Sequence, residues 1–133
     1  MKVIGLWMLA SVISAVALTY FALESSGVVE VTTWDNTTSA PRRTHVWFVV
    51  EGENIWLEAG HPDNPWVKDL PDTPAMAVRG GGISGEYQFT IVEGLTAHQE
   101  IRQKMRAKYG WRDVWISCLF DVEKSRMIQL KRT

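Results

Sequence analysis

The chain contains one cysteine, Cys118. An intrachain disulfide is therefore excluded. No Cys-x-x-Cys partner or nearby histidine is present to lower its pKa, and its place in the apolar run Ile116–Phe120 reads as a small core residue. The histidines His45, His61 and His98 have no metal-ligand spacing, and His-Glu-x-x-His is absent. So is the Gly-x-Ser-x-Gly turn of serine hydrolases. Net charge is -1 and the isoelectric point about 6.3. No excess of one sign draws the chain to nucleic acid or anionic lipid. Basic residues gather between Arg102 and Arg132, but Glu100, Asp113, Asp121 and Glu123 interleave with them, as on a solvated surface. Gly80–Gly85 matches Gly-x-Gly-x-x-Gly on paper. A dinucleotide fingerprint must open a helix, whereas a strand pattern follows here, so the segment reads as a glycine-rich hairpin loop.

What the chain does have begins with Val3–Leu23, a run without charge. As a helix it would reach about 30 Å, the thickness of the hydrocarbon core of a bilayer. A cleaved secretory signal is one reading, from Lys2 and the small residues Ala15-Val16-Ala17. The apolar run nevertheless continues through Thr19, Tyr20, Phe21 and Leu23, beyond the roughly 7–15 residues of a signal's apolar core. Trp7 and Tyr20 stand near its two ends, as interfacial aromatics do. The length favours an uncleaved anchor over residues 1–24, with residues 25–133 as one domain large enough for its own core. Lys2 precedes the helix, and no Lys or Arg follows until Arg42. The positive-inside rule then puts the N-terminus in the cytoplasm and the domain outside, on a single-pass membrane protein.

After a hinge at Ser25-Ser26-Gly27, Val29, Val31 and Thr33 alternate with polar neighbours, a half-buried strand. Asp35–Arg43 is a polar loop. Thr44–Val50 and Ile55–Ala59 are strands joined by a turn at Glu51–Asn54. His61–Pro74 holds four of the five prolines, with room for one helical turn at Pro65–Leu70, where proline suits the first helical position. Ala75–Arg79 and Glu86–Val92 are further strands. The period then changes. Thr96 with Gln99 forms a capping-box pattern, and Ala97, Ile101, Met105 and Tyr109 make one stripe of an amphipathic helix that Gly110 ends. A short helix over Trp111–Asp121 and a last strand over Arg126–Lys131 complete an α+β domain.

Seven tryptophans are many for this length. Trp34, Trp47, Trp56, Trp66, Trp111 and Trp115 lie in the domain. Indoles stack on flat rings and donate one hydrogen bond, so they suit a packed core or a planar ligand. Trp66, in a proline-rich loop, has the weaker core demand. Arg42-Arg43, beside Thr37, Thr38 and Ser39, could hold a phosphate or carboxylate, or could guard a strand edge. His61, near Asp63, is a candidate for ligand contact or proton transfer.

Taken in order, Thr32-Thr33, Pro41-Arg42-Arg43-Thr44, Trp47, Gly52, Ala59-Gly60, Pro65–Leu70 and Pro74 resemble the deazaflavin-dependent nitroreductase family, and Tyr109-Gly110-Trp111 with the closing strand is similar to its C-terminal part. The resemblance covers nearly all of residues 28–133 and rests on order and spacing. It implies a split β-barrel of about six strands with two helices in its C-terminal half, related to the flavin-binding pyridoxamine-phosphate-oxidase folds. It implies a cofactor, the deazaflavin coenzyme F-420 or alternatively FMN, lying in a groove of the barrel and passing hydride to a quinone or nitro compound. The cofactor's anionic tail would rest on the loop Asp35–Arg43. By position, Thr38 matches a family serine and Arg42 a family arginine, and Pro65-Trp66 would wall the groove. The family loop reads glycine, any residue, basic residue, serine, glycine, whereas this chain has Asp35 to Ser39. Both glycines and the cation are replaced, and Asp35 would repel an anion.

The resulting expectation is a membrane-tethered oxidoreductase with Thr38, Arg42, Arg43, Trp47, Pro65 and Trp66 around the cofactor. His61, Tyr87 and Tyr109 are the candidate proton donors. The alternative is a non-catalytic module that holds a lipid, quinone or other planar ring. No metal or nucleic-acid partner is expected, and a homodimer is left open.

Overall fold

A computed structural model describes residues 2–24 and 27–133. Helix α1 (Lys2–Glu24) is followed by strands β1 (Val28–Trp34), β2 (Pro41–Glu51) and β3 (Asn54–Ala59). Next come a one-turn helix α2 (Pro65–Lys68), β4 (Met76–Arg79), β5 (Gly85–Ile91), helices α3 (Leu95–Tyr109) and α4 (Trp111–Leu119), and β6 (Arg126–Arg132). The Ser25-Ser26 part of the expected hinge lies outside the described residues.

The six strands close a barrel in the order β1-β2-β3-β6-β5-β4, every neighbouring pair antiparallel. β1 alternates as its sequence predicts, with Val29, Val31 and Thr33 buried. β2 begins at Pro41 rather than Thr44, because Arg42 and Arg43 pair across from Thr33 and Thr32. A proline at the first strand position gives up no ladder bond that a central residue would need. The polar loop shrinks accordingly to residues 35–40.

Period-two alternation gives the barrel two faces. Val29, Val31, Val46, Phe48, Leu57 and Ile128 fill the interior, and Trp66, Val67 and Leu70 pack onto the same cluster. On the outer face Trp47, Val49 and Met127 pack under Ile101, Met105 and Tyr109 of α3 and Ile116 of α4. The α3 stripe is thus buried as its period predicts, with Ala97 half-buried. The capping box is not formed. α3 starts at Leu95 behind Gly94 and has no side-chain cap, since Thr96 already lies inside the first turn. α4 ends at Leu119, and Phe120 is extended.

Two further expectations are corrected. Cys118 is exposed, because Asp113 and Ile116, not Cys118, take the buried side of α4. The basic last third is not uniformly solvated, because Arg102 and Asp113 are buried against each other. The Gly80–Gly85 segment links β4 to β5 as expected of a hairpin loop. Gly81 (φ 61°) is the position that requires glycine: a β-carbon there would overlap the Phe48 ring and come within 2.9 Å of Val29 Cγ1.

α1 is long and apolar enough to cross a membrane. Only Ala22 in it is buried. Its last turns lie on α4, where the Trp115 indole donates to Thr19 Oγ1 at 2.9 Å, Arg112 Nε donates to the Ala22 carbonyl at 2.7 Å, and Phe21 stacks on Trp111.

Candidate functional site

Where β3 ends and the chain turns through Gly60 and His61 towards α2, a cavity of about 460 Å³ opens. Trp47 of β2, Glu58 of β3, Trp66 of α2, Ile116 of α4, Phe120 and Leu23 of α1 line it. It therefore borders the barrel end, the helical layer and the end of the apolar N-terminal helix together.

Trp47 is held by Tyr109, whose ring stacks on it with centroids 4.0 Å apart and planes 12° from parallel. Its indole N–H is buried and has no hydrogen-bond partner among the described residues. A buried donor left unpaired costs about 1–3 kcal/mol. Trp66 is only 2% exposed. It packs with the barrel core and also lines the cavity. Pro65 beside it opens α2 and is exposed.

Glu58 is the buried acid on this wall. Both its oxygens accept from Arg102 Nη1, at 2.6 and 2.7 Å, and one accepts from the Ser125 hydroxyl at 2.9 Å. Arg102 also bonds Asp113, which takes a further bond from Arg106 Nε at 3.3 Å. Burial pushes the Glu58 carboxyl above its ordinary pKa, with Arg102 pulling the other way. His61 lines the cavity too, its Nδ1 accepting from the Asp63 N–H at 3.1 Å. Tyr87 and Tyr109 do not line it. Their hydroxyls serve the backbone: Tyr87 donates to the Ile83 carbonyl at 2.6 Å, and Tyr109 donates to the Gly27 carbonyl at 2.5 Å and accepts from the Phe48 N–H at 2.8 Å.

The loop expected to hold an anionic tail is already occupied by a carboxylate of the chain. Asp35 Oδ1 accepts from the N–H groups of Thr37 and Thr38, at 2.8 and 3.0 Å. Its Oδ2 accepts from Arg42 Nη2 at 2.6 Å. Arg42 Nε donates at 2.8 Å to Asp69 Oδ2, which also accepts from the Thr33 hydroxyl. The Thr38 hydroxyl accepts from the Ala40 N–H. The Thr38 and Thr37 N–H groups, with Arg42 adding to them, hold Asp35 below its ordinary pKa. Arg43 is the next residue on an extended strand, so it points to the opposite face, and it is exposed. Of the six residues expected around a cofactor, the structure brings Trp47 and Trp66 to the cavity. It places Thr38 in the carboxylate-filled loop and Arg42 on β2 beside it, bonded to Asp35 and Asp69, and leaves Arg43 and Pro65 on the surface. Two indoles, Trp47 and Trp66, line the cavity, the apolar surface a flat ring would require. A phosphate tail does not fit the loop, whose N–H donors and cation are engaged by Asp35 and Asp69.

Sequence reasoning missed Glu58, Arg102, Asp113 and Asp69. Asp69 lay inside the Pro65–Leu70 motif, so a charge partner for Arg42 was open to being found. Glu58 sits on the outward face with Trp56 in the strand alternation. Only the packing of α3 and α4 buries it.

No family profile and no curated protein sequence matches the chain. Solved structures do. HutZ, the heme storage protein of Vibrio cholerae, superposes with a TM-score of 0.60 at 11% identity, covering 84% of this chain and 85% of its own. A pyridoxamine 5'-phosphate oxidase candidate from Listeria innocua gives 0.54 at 14% identity, covering 82% and 86%. An F-420 reductase gives 0.53 at 14% identity, covering 86% and 92%. At such identities the likeness speaks for the fold. Residues 28–133 thus form a split β-barrel, the fold these structures share.

Proposed function

We propose that this chain is a membrane-tethered oxidoreductase of the split-barrel class. It grips a planar redox ring between Trp47 and Trp66 and reduces a small organic acceptor such as a quinone or nitro compound. The observation that carries this reading is the cavity itself, walled by two indoles, with a Trp47 N–H that has no partner among the described residues and a buried carboxyl, Glu58, beside it. The fold neighbours, among them an F-420 reductase and a flavin-type oxidase candidate, support a ring of the deazaflavin or flavin kind. Such a ring supplies hydride chemistry when bound. The chain's own residues orient it through the Trp47 N–H and exclude water with Trp66 and Ile116, with His61 on the cavity wall as the candidate proton donor. Because Asp35 fills the tail loop, the grip is on the ring alone, and the ring compound exchanges as a co-substrate. α1 serves as the anchor, with the domain on the outer face of the membrane.

The filled loop specifically favours a second reading, a non-catalytic module that holds a quinone or other planar lipid. The full-length protein in lipid nanodiscs separates the two. Short-chain quinone, FMN and the oxidised deazaflavin are each titrated while tryptophan fluorescence is followed. Reduced deazaflavin or reduced FMN is then mixed anaerobically with quinone. Quenching that is lost in Trp66→Phe, together with protein-dependent quinone reduction, supports the enzyme. Quenching without turnover supports the module. Absence of quenching by every ring compound removes both.

A further inference from the structure

The surface of α4 turned away from the barrel is apolar. Trp111, Val114, Trp115, Cys118 and Leu119 recur at i, i+3, i+4, i+7 and i+8, one stripe of a helix. Trp111, Val114 and Leu119 are each half exposed or more, as is Phe120 just beyond, and Cys118 is exposed. A water-facing helix of this composition is unusual. Its position explains it. The Trp115 indole bonds to Thr19, Phe21 stacks on Trp111, and Arg112 caps the Ala22 carbonyl. All three contacts fall on the last turns of α1, whose side chains from Val3 to Phe21 are almost all exposed and apolar. The α4 stripe is thus continuous with the surface of a helix long enough to span a bilayer.

Depth follows from helix rise. If Leu23 marks the upper boundary of the hydrocarbon, Thr19 lies about 6 Å below it along α1. A tryptophan bonded to Thr19 then sits in the outermost hydrocarbon, just beneath the layer where indoles with one apolar and one polar edge are enriched, with its polar edge satisfied by Thr19. We infer that the outward stripe of α4, with Phe120, lies in the interfacial layer of the lipid bilayer, so that the domain rests on the membrane rather than hanging clear of it. The inference builds on the anchoring reading above. It also makes the membrane a neighbour of the cavity, since Leu23 and Phe120 belong to both. A lipid-soluble ring then has a short route from the bilayer to Trp47 and Trp66.

The single native thiol supplies the probe. The full chain is labelled with a nitroxide at Cys118, reconstituted in liposomes of neutral phospholipid and separated by flotation. Collision with oxygen and with a water-soluble nickel chelate is then measured. A second preparation carries Cys118→Ser with Glu53→Cys, placing the label on the β2–β3 turn. The expected result is flotation of both, loss of nickel accessibility at position 118 relative to position 53, and a gain in oxygen accessibility. Flotation with equal nickel access at both sites overturns the inference and leaves the anchor standing. Failure to float overturns the anchor and the inference with it. Spin–spin broadening at position 118 that disappears on dilution with unlabelled protein shows a second copy on the stripe and overturns the inference as well.

Discussion

Replacing Arg102 by methionine tests the buried charge network behind the cavity. Arg102 donates to both oxygens of Glu58 and to Asp113. The carboxyls of Glu58 and Asp113 are 6% and 0% exposed. In Arg102→Met, Asp113 keeps Arg106, whereas Glu58 keeps only the Ser125 hydroxyl. Removing one partner of a buried pair costs about 3–5 kcal/mol, because a charge is left without compensation. Against a typical total of about 5–15 kcal/mol this is a large share. For a domain of this size it lowers the thermal midpoint by roughly 10–25 °C. The pH dependence has a definite sign. The freed Glu58 carboxyl has a folded pKa above its unfolded value, so protonation favours the folded state. Its stabilising contribution is complete below the ordinary value of 4.5 and is lost as pH rises through the folded pKa. The deficit of the variant should therefore shrink as the solution is acidified. Urea unfolding of the full chain in detergent, followed by tryptophan fluorescence at several pH values, measures it. Arg102→Met/Glu58→Met, which removes the stranded charge, should recover most of the loss. A single variant within about 1 kcal/mol of the parent, or a double variant no better than the single, would refute the reasoning.

Four other outcomes are expected. Asp35→Ser frees one edge of Arg42 and the Thr37 and Thr38 N–H groups, and should tighten FMN or inorganic phosphate binding by about tenfold or more by calorimetry. Gly81→Ala forces a β-carbon against Phe48 and Val29 at a left-handed φ and should destabilise by about 1–3 kcal/mol in urea unfolding. Burial, reinforced by the Arg112 charge, holds Lys108 down at about 8 against an ordinary 10.5. Its folded pKa is depressed, so stability should rise with pH between those values, and Lys108→Met should abolish that rise. Trp47→Phe removes a donor that has no partner among the described residues. It should weaken quinone binding several-fold in fluorescence titrations, while changing the unfolding midpoint less than Arg102→Met does.

The barrel was legible because its strands obey a local rule. Val29, Val31 and Thr33 alternate, the Glu51–Asn54 turn sets the β2–β3 register, and the stripe Ile101, Met105, Tyr109 announces a helix with one buried face. What stayed hidden depends on contacts between elements distant in sequence. Glu58 and Arg102 are each polar residues at unremarkable local positions, and only the packing of α3 on the β3 wall brings them together. Cys118 looked like core because its neighbours are apolar, yet that apolar surface faces outward along α4 beside α1. Periodicity identifies a face but not what covers it. The arginine pair illustrates the opposite error: two adjacent cations suggest one site, but on an extended strand they point apart, and only Arg42 reaches Asp35 and Asp69.

The Asp35 loop and the cavity bear on one another. A carboxylate that accepts two backbone N–H groups and a guanidinium reproduces, from within the chain, the contacts a phosphate oxygen would make. An incoming phosphate would have to displace it, and until then it meets a negative group at the mouth of the loop. On the proposed function, binding strength comes instead from the ring, through area buried against Trp47 and Trp66 and one hydrogen bond at the Trp47 N–H. Uncharged rings lose little by this arrangement, whereas polyanionic ones lose their largest electrostatic contribution. The carboxylate-filled loop and the proposed apolar approach along α1 and α4 act in the same direction, in support of the proposed lipid-soluble planar ligand. Asp35→Ser should shift that preference towards phosphate-bearing rings without altering the affinity for a neutral quinone. Equal gains for both ligands would mean that the loop acts on the cavity through its shape and not through its charge.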